Sequence, residues 1–270
     1  MQSVVDSIKE KYHSSTEMKE LPASDLGKKV FFIYPHSVIQ KKLISNIIEH
    51  EYEVYLLEDH RKALRVLEVY NDSILFVNID KGLREKEWEK YVRGIMSSEA
   101  TKNARIGIVT YDENKALAEK YLMELMVPCG FIRLKIGVEE STRIILKTLE
   151  ANEAKGRRRF VRAVCRGSNR ATFNIKIRNK IITGLIIDIS SAGMACSFDG
   201  EINLKVGTPF NDLQLRLKGS LCRLSGRVAG FIEADTQHYV IMFDENLDQH
   251  TRAKIRSFIF SVLHEEINKI

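Results

Sequence analysis

The chain has 270 residues, of which 44% are hydrophobic and 29% charged, and its formal net charge is +6. This length exceeds that of one ordinary domain, roughly 100–200 residues, so two domains are predicted. No apolar stretch approaches the roughly 20 residues of a membrane-spanning helix, and the first dozen residues lack the apolar core of a secretory signal. We therefore expect a cytoplasmic protein without a membrane span.

Residues 1–27 are polar and weakly periodic, and we interpret them as an N-terminal extension. From residue 28 to 154, five short apolar runs alternate with five segments whose apolar positions have helical spacing. The runs, predicted to be strands, are residues 30–33, 53–57, 74–77, 106–109 and 131–134. The alternation predicts an α/β domain, with a parallel sheet covered on both faces and a flavodoxin-like strand order.

This layout resembles the receiver domain of response regulators over about residues 28–153. Thr110 and Lys135 follow the fourth and fifth predicted strands. In the receiver family a hydroxyl and a lysine at these places contact the phosphoryl group. An ordinary role as polar residues at strand ends is the alternative for both.

The acidic half of a receiver site is missing. Tyr34 and Pro35 stand where receivers place a carboxylate pair for Mg²⁺, and Asn78 occupies the phosphoacceptor position. Asp80 lies two residues further on and is out of register. Because phosphoryl transfer needs a charge-neutralising ion held by hard oxygen ligands, we predict a receiver-like scaffold that is not phosphorylated.

The two predicted domains join without a Pro-rich or Ser-rich linker. Gly156 is expected to take the left-handed conformation that ends the last helix of the first domain. The arginine-rich segment that follows therefore begins where that domain ends, and we predict a hinge at this joint. From Lys155 to Lys180 there are ten Lys or Arg and no Asp or Glu. Such a strip attracts phosphate or another anionic surface, although a solvated basic face is the ordinary alternative.

From residue 155 the hydrophobic period changes from 3.6 to 2, which predicts half-buried antiparallel strands. Residues 173–177 and 213–217 show the alternation most clearly, and further strands are predicted at 181–188, 194–198, 219–231 and 238–243. Short strands repeated over roughly 90 residues indicate a small closed barrel, here of six strands. A helix whose apolar positions fall on one face ends the chain. The predicted fold is thus α+β with two domains, 28–154 and 155–270.

Two short motifs in the second half stand in a defined order, about one hairpin apart. The first is RxxxR, preceded by an additional arginine, and the second is DxSxxG. Their residues are Arg157, Arg158, Arg162, Asp188, Ser190 and Gly193. With the barrel pattern, they make residues 155–270 resemble PilZ domains over their full length. The whole chain is similar to spirochaetal two-domain PilZ proteins.

The resemblance implies a receptor for cyclic di-GMP with no other cofactor. Arginine can fork to phosphate, stack on purine and contact guanine O6 and N7, so the motif arginines suit a ligand with two phosphates and two guanines. Asp188 is expected to accept from guanine or fix an arginine, Ser190 to supply a hydroxyl, and Gly193 to admit the ligand close to the backbone. Arg227 or Phe231 is expected to add a contact from a late strand. Ligand binding should change the domain arrangement and signal to a protein partner in motility, host adaptation or gene expression.

Other functions are weighed against this one. A nucleic-acid-binding protein using the basic strip 155–180 is the main alternative, and the two functions are compatible. No nucleophile or acid/base constellation emerges, so the chain is not expected to be an enzyme. The four cysteines show no CxxC or Cys/His spacing, so no metal is expected. We expect a monomer.

Overall fold

The computed structural model describes residues 27–35, 37–167, 171–177, 180–200, 202–232 and 238–270. The residues predicted to form the N-terminal extension lie outside this part, apart from Gly27. The described chain divides into two compact units. We call residues 27–159 with 263–270 the α/β unit, and residues 160–262 the barrel unit.

The α/β unit contains a five-stranded parallel sheet. Its strands are β1 (Lys29–Ile33), β2 (Val54–Leu57), β3 (Ser73–Asn78), β4 (Arg105–Thr110) and β5 (Phe131–Arg133). The order is β2-β1-β3-β4-β5, which confirms the predicted flavodoxin-like topology. All six residues of β3 are buried, as expected for a central strand covered on both faces.

Helices connect these strands. They are α1 (Ser37–Glu49), α2 (His60–Val69), α3 (Glu85–Ser97), α4 (Lys115–Glu119) and α5 (Val138–Ala151). The fourth connection is not a continuous α-helix, because α4 continues into a π-helical turn, Lys120–Glu124. Leu125 N–H closes this wider turn on the Lys120 carbonyl at 3.0 Å, and Met126 then leaves with φ 51°.

The end of α5 differs from the prediction. The helix ends at Ala151, and Glu153, with φ 52°, takes the left-handed conformation expected of Gly156. The N–H of Ala154 reaches back to the Leu149 carbonyl at 3.0 Å. This is the six-to-one bond of a Schellman motif, which satisfies a carbonyl that the helix itself leaves unpaired.

The barrel unit is antiparallel. Its strands are β6 (Arg162–Val164), β7 (Ala171–Ile177), β8 (Lys180–Ser190), β9 (Gly193–Phe198), β10 (Pro209–Leu217), β11 (Ser220–Ile232) and β12 (His238–Phe243). They follow the order β6-β8-β7-β10-β11-β12-β9, and the additional pairing of β8 with β9 closes the ring. The six-stranded barrel is therefore confirmed as β7 to β12, and β6 is a short extra strand along β8.

Strand β8 closes the barrel because it is long enough to pair with three other strands. Its first part pairs with β7, and its last part pairs with β9 and with β6. Between Ile186 and Asp188 the register with β9 shifts, as at a β-bulge. A bulge bends its strand and increases the local twist. This bulge lies where β8 stops pairing with β7 and begins to pair with β6.

The helix α6 (Gln249–Ile267) ends the chain, as predicted. Asp248 precedes it and accepts a hydrogen bond from Thr251 N–H at 2.9 Å. The predicted apolar positions are buried as far as Ile267. Within the described residues, none of the helices has the length and apolar character needed to cross a membrane.

Candidate ligand-binding site

The pairing of β6 with β8 brings residues of the two sequence motifs together. Arg162 pairs with Ser190, and Val164 pairs with Asp188. Directly opposite residues share a face of the sheet. Ala163, which lies between Arg162 and Val164 on β6, is fully buried, so its two neighbours lie on the opposite, outer face. Arg162 and Asp188 are therefore diagonal neighbours on the outer face.

Arg162 and Asp188 form a loose ion pair. Arg162 Nη1 lies 3.7 Å from Asp188 Oδ1, and the two side chains are 37% and 25% exposed. This distance is too long for a hydrogen bond. Since partly exposed ion pairs contribute about 0–1 kcal/mol, the guanidinium can turn toward an incoming anion at little cost.

The other two motif arginines precede the barrel. Arg157 is exposed and Arg158 is half-buried, and both lie in the non-regular segment between α5 and β6. By the division of the chain they belong to the α/β unit, whereas Arg162 belongs to the barrel unit. A non-regular segment leaves arginine side chains less fixed than a strand does.

Ser190 is occupied by the turn between β8 and β9. Its hydroxyl donates to the Gly193 carbonyl at 3.1 Å and lies 3.3 Å from Ala192 N–H, from which it accepts. The residue is buried, with 6% of its surface exposed. The hydroxyl expected to contact a ligand thus holds the backbone of the turn in this structure.

Gly193 permits a close approach of two strands. A Cβ at this position would lie 2.5 Å from the carbonyl oxygen of Ile241 on β12. Real side chains essentially never come so near, and Gly193 is not among the glycines with positive φ. The lack of a side chain is therefore required by packing between β9 and β12, independently of any ligand.

The row of paired residues that starts at the motifs extends further round the barrel. Gly193 pairs with Met242, and Met242 pairs with Arg227. Phe231 instead pairs with Tyr239, a fully buried core residue. Both late-strand candidates are exposed, Phe231 to 47%, but of the two only Arg227 shares a row with the motif glycine.

Sequence reasoning did not single out Val164. It lies directly opposite Asp188, and 38% of its surface is exposed. An apolar side chain beside a carboxylate and a guanidinium offers a surface against which a flat ring can lie. The signal was available in principle, because a residue two positions after Arg162 shares its face once the segment is known to be a strand.

Burial and a nearby negative charge disfavour the thiolate form of the two cysteines near the site. Burial, reinforced by the negative charge of Asp188, raises the pKa of Cys165 to about 12. The same two causes raise the pKa of Cys196. Since the thiolate is the reactive form, neither cysteine is poised for nucleophilic chemistry. Among the described residues, no group of His, Cys, Asp and Glu is arranged to hold a metal ion.

In the α/β unit, the receiver-like positions are engaged with side chains and backbone of the same unit. Asn78 is fully buried and donates to the Tyr34 carbonyl at 2.6 Å. Thr110 donates to Asp80, and Lys135 forms an exposed ion pair with Glu113 at 2.7 Å. At the end of β1, where receivers carry a carboxylate pair, this chain has Tyr34, whose φ is 50°.

The barrel unit is thus a closed antiparallel barrel with a partly exposed Arg/Asp pair beside a tightly packed turn. The family model of the PilZ domain matches residues 156–261, and this part of the chain is a PilZ domain. No curated protein matches the chain.

Several solved structures are similar to parts of the chain. The PilZ domain of YcgR from Escherichia coli, solved with c-di-GMP, has 17% identity and a TM-score of 0.37, and the match covers 42% of this chain and 96% of that one. The complex of MrkH from K. pneumonia with c-di-GMP has 18% identity and a TM-score of 0.37, with 43% of this chain and 57% of that one covered. The response regulator CheY4 of Vibrio cholerae has 16% identity and a TM-score of 0.37, with 47% and 98% covered. The chain thus spans about half the length of MrkH.

Proposed function

We propose that this protein is a non-enzymatic receptor for cyclic di-GMP and that its PilZ domain binds the ligand. The single observation that carries the proposal is the β6–β8 pairing, which sets Arg162 and Asp188 on one accessible face, 3.7 Å apart. Together with the family of the domain, this pair supports a site for a ligand that is both anionic and rich in hydrogen-bond donors.

Arg162 and Asp188 have complementary tasks in this proposal. Arg162 donates to a phosphate oxygen, and Asp188 accepts from the N1–H and the amino group of a guanine. A hydrogen bond to a charged group contributes about 1.5–3 kcal/mol, more than the 0–1 kcal/mol expected for the partly exposed ion pair it replaces. The exchange therefore favours the bound state.

Arg157 and Arg158 complete the cationic side of the proposed site. The ligand carries two phosphates, and one arginine on β6 cannot satisfy both. Arg158 is proposed to contact the second phosphate, and Arg157 to contact phosphate or stack on a guanine. Arg227 is proposed as a further contact, because it lies on the same row as the motif glycine.

Titration calorimetry of the full chain with cyclic di-GMP tests the proposal. Arg162→Ala and Arg158→Ala should each weaken binding by roughly 10- to 100-fold, since each removes at least one charge-assisted contact. Arg216→Ala is the matched control, because Arg216, like Arg162, is exposed but lies on β10. Absence of binding by the wild-type chain, or unchanged affinity in both motif variants, would exclude the site.

We also propose that binding changes the arrangement of the two units and that a protein partner detects this change. The reason is the position of Arg157 and Arg158 in the joint between α5 and β6, where fixing their side chains on a ligand must also fix the backbone. Small-angle scattering should show a change in shape on adding ligand to the wild-type chain and none for Arg162→Ala. An unchanged wild-type profile at saturation would contradict the coupling.

Nucleic-acid binding is a second candidate function, favoured by the basic strip. Of its cations, Arg166, Lys176 and Lys180 are exposed, and no acid occurs between Lys155 and Lys180. Such binding should weaken steeply as salt is raised and should persist in Asp188→Ala, whereas cyclic di-GMP binding should not persist. Nucleic-acid affinity that is insensitive to salt would argue against this function.

A further inference from the structure

We infer that the α/β unit has a binding site for a small organic monoanion at the amino edge of its sheet. A recess of about 620 Å³ lies there, beside the segments that lead into β3, β4 and β5. Its lining includes Asp72, Arg105 and Pro128, one residue from each of these segments. Pockets of about 300–1,000 Å³ accommodate small organic ligands. This edge is opposite to the one that carries Asn78 and Thr110, the last residues of β3 and β4.

Arg105 supplies an oriented guanidinium to the lining of the recess. Its Nη1 donates to Asn152 Oδ1 at 3.0 Å, and Asn152 Nδ2 donates in turn to the Thr148 carbonyl at 2.7 Å. Asn152 directly follows α5 and is buried, with 7% of its surface exposed. The end of a helix therefore fixes the acceptor, and the acceptor positions the guanidinium. A guanidinium that is already positioned loses less conformational freedom when it binds an anion.

The charges of the lining are matched except for that of Arg105. Lys102 is paired with Glu99, and Asp72 is paired with Lys28. Arg105 donates to the neutral side chain of an amide, and no carboxylate of the described residues lies within ion-pairing distance of it. Its guanidinium has five N–H donors, so most of them have no acceptor in the described part of the chain. A half-buried cation of this kind favours an anion that accepts two parallel hydrogen bonds.

The remaining lining limits the class of anion. Met96, Ala104 and Pro128 provide apolar surface, which suits an organic group rather than a bare inorganic ion. Asp72 lines the same recess, so its carboxylate disfavours a second negative charge on the ligand. One cation without a counter-ion therefore matches a ligand with one negative charge, and the class is a small carboxylate with an apolar body. This site lies in the α/β unit and does not depend on the proposed cyclic di-GMP site.

Benzoate is the probe, and the methyl resonance of Met96 in the full chain labelled with ¹³C-methionine is the readout. Met96→Leu identifies this resonance among those of the seven methionines. Benzoate should shift it saturably. Benzamide, which has the same ring but no charge, should bind at least about tenfold more weakly, because it lacks the charge-assisted hydrogen bonds. Doubly charged phenyl phosphate should also bind more weakly than benzoate.

Arg105→Gln should lower the affinity for benzoate at least about tenfold, to that for benzamide. Arg143→Gln is the matched control, because Arg143 is an exposed arginine outside the lining, and it should leave the affinity unchanged. Trp88 fluorescence shows whether each variant is folded. If Arg105→Gln does not fold, the comparison of benzoate with benzamide in the wild-type chain decides. No saturable shift with benzoate, equal binding of benzamide, equal or tighter binding of phenyl phosphate, or unchanged affinity in folded Arg105→Gln would each overturn the inference.

Discussion

Replacement of Gly193 by alanine should destabilise the barrel without removing a ligand contact. The added Cβ would lie 2.5 Å from the Ile241 carbonyl oxygen, whereas close carbon–oxygen contacts in sheets are about 3.3 Å. Strand β9 or β12 must therefore move by roughly 0.8 Å. Overpacking of this kind costs about 1–3 kcal/mol. We expect the upper half of that range, because β12 is paired on both sides, with β9 and with β11.

Gly230→Ala is the matched control for this prediction. Gly230 also lies in a barrel strand, nothing lies within 4 Å of its hypothetical Cβ, and it is not among the glycines with positive φ. Its replacement should change the free energy of unfolding by no more than about 0.5 kcal/mol. Urea unfolding should be followed by hydrogen exchange of barrel amides. Trp88, the one tryptophan of the chain, lies in the α/β unit and reports that unit separately by its fluorescence.

The opposite pattern would refute the packing explanation. If Gly193 serves mainly to admit the ligand, Gly193→Ala should keep the stability of the wild-type barrel and lose affinity for cyclic di-GMP. Equal stability of Gly193→Ala and Gly230→Ala would therefore show that the close approach to β12 does not determine the choice of glycine.

Three further measurements test the described geometry. Ser190→Ala should lower the free energy of unfolding of the barrel by about 1–2 kcal/mol, because the turn loses two hydrogen bonds, and urea titration measures this. Cys165, whose pKa is raised to about 12 by burial and Asp188, should react with a thiol reagent only as the barrel unfolds. Hydrogen bonds from Thr251 hold the pKa of Asp248 below its usual value, so the carboxylate stabilises the start of α6 above pH about 3.9 and the effect is lost as the pH falls through the lower folded-state pKa. The difference in melting temperature between the wild-type chain and Asp248→Ala should accordingly be present at pH 7 and shrink in acid.

The sheet and barrel could be predicted because their signals are distributed over many residues. Residues 74–77 of β3 are a continuous apolar run, which indicates burial on both faces, and residues 213–217 of β10 alternate, which indicates burial on one. Helix ends were harder, because a single hydrogen bond decides them. At the end of α5, Glu153 accepts the left-handed conformation once the Schellman bond forms, although Gly156 is the better residue for it by propensity alone.

The motif residues of the candidate site stand out in the sequence, but the position of each in the fold does not. Strand β6 has three residues, too few to show alternation, so the diagonal contact between Arg162 and Asp188 appears only when its register with β8 is known. The choice between Arg227 and Phe231 likewise depends on a register shift in β11, between Val228 and Gly230. A register shift of one residue reverses which side chains face outward, and no local pattern specifies it here.

The structure divides the motif residues into two groups, and binding experiments can distinguish them. Arg162 and Asp188 face outward, whereas Ser190 and Gly193 hold the turn and the β9–β12 contact. A domain of ordinary stability, about 5–15 kcal/mol, that loses 2–3 kcal/mol remains more than about 95% folded at 25 °C. Apparent affinity falls only by the fraction of binding-competent molecules, so such a loss changes it by a few per cent. A large loss of affinity in a folded Gly193→Ala barrel would therefore have to come from the ligand contact itself, whereas a loss seen only near the melting temperature would come from the scaffold.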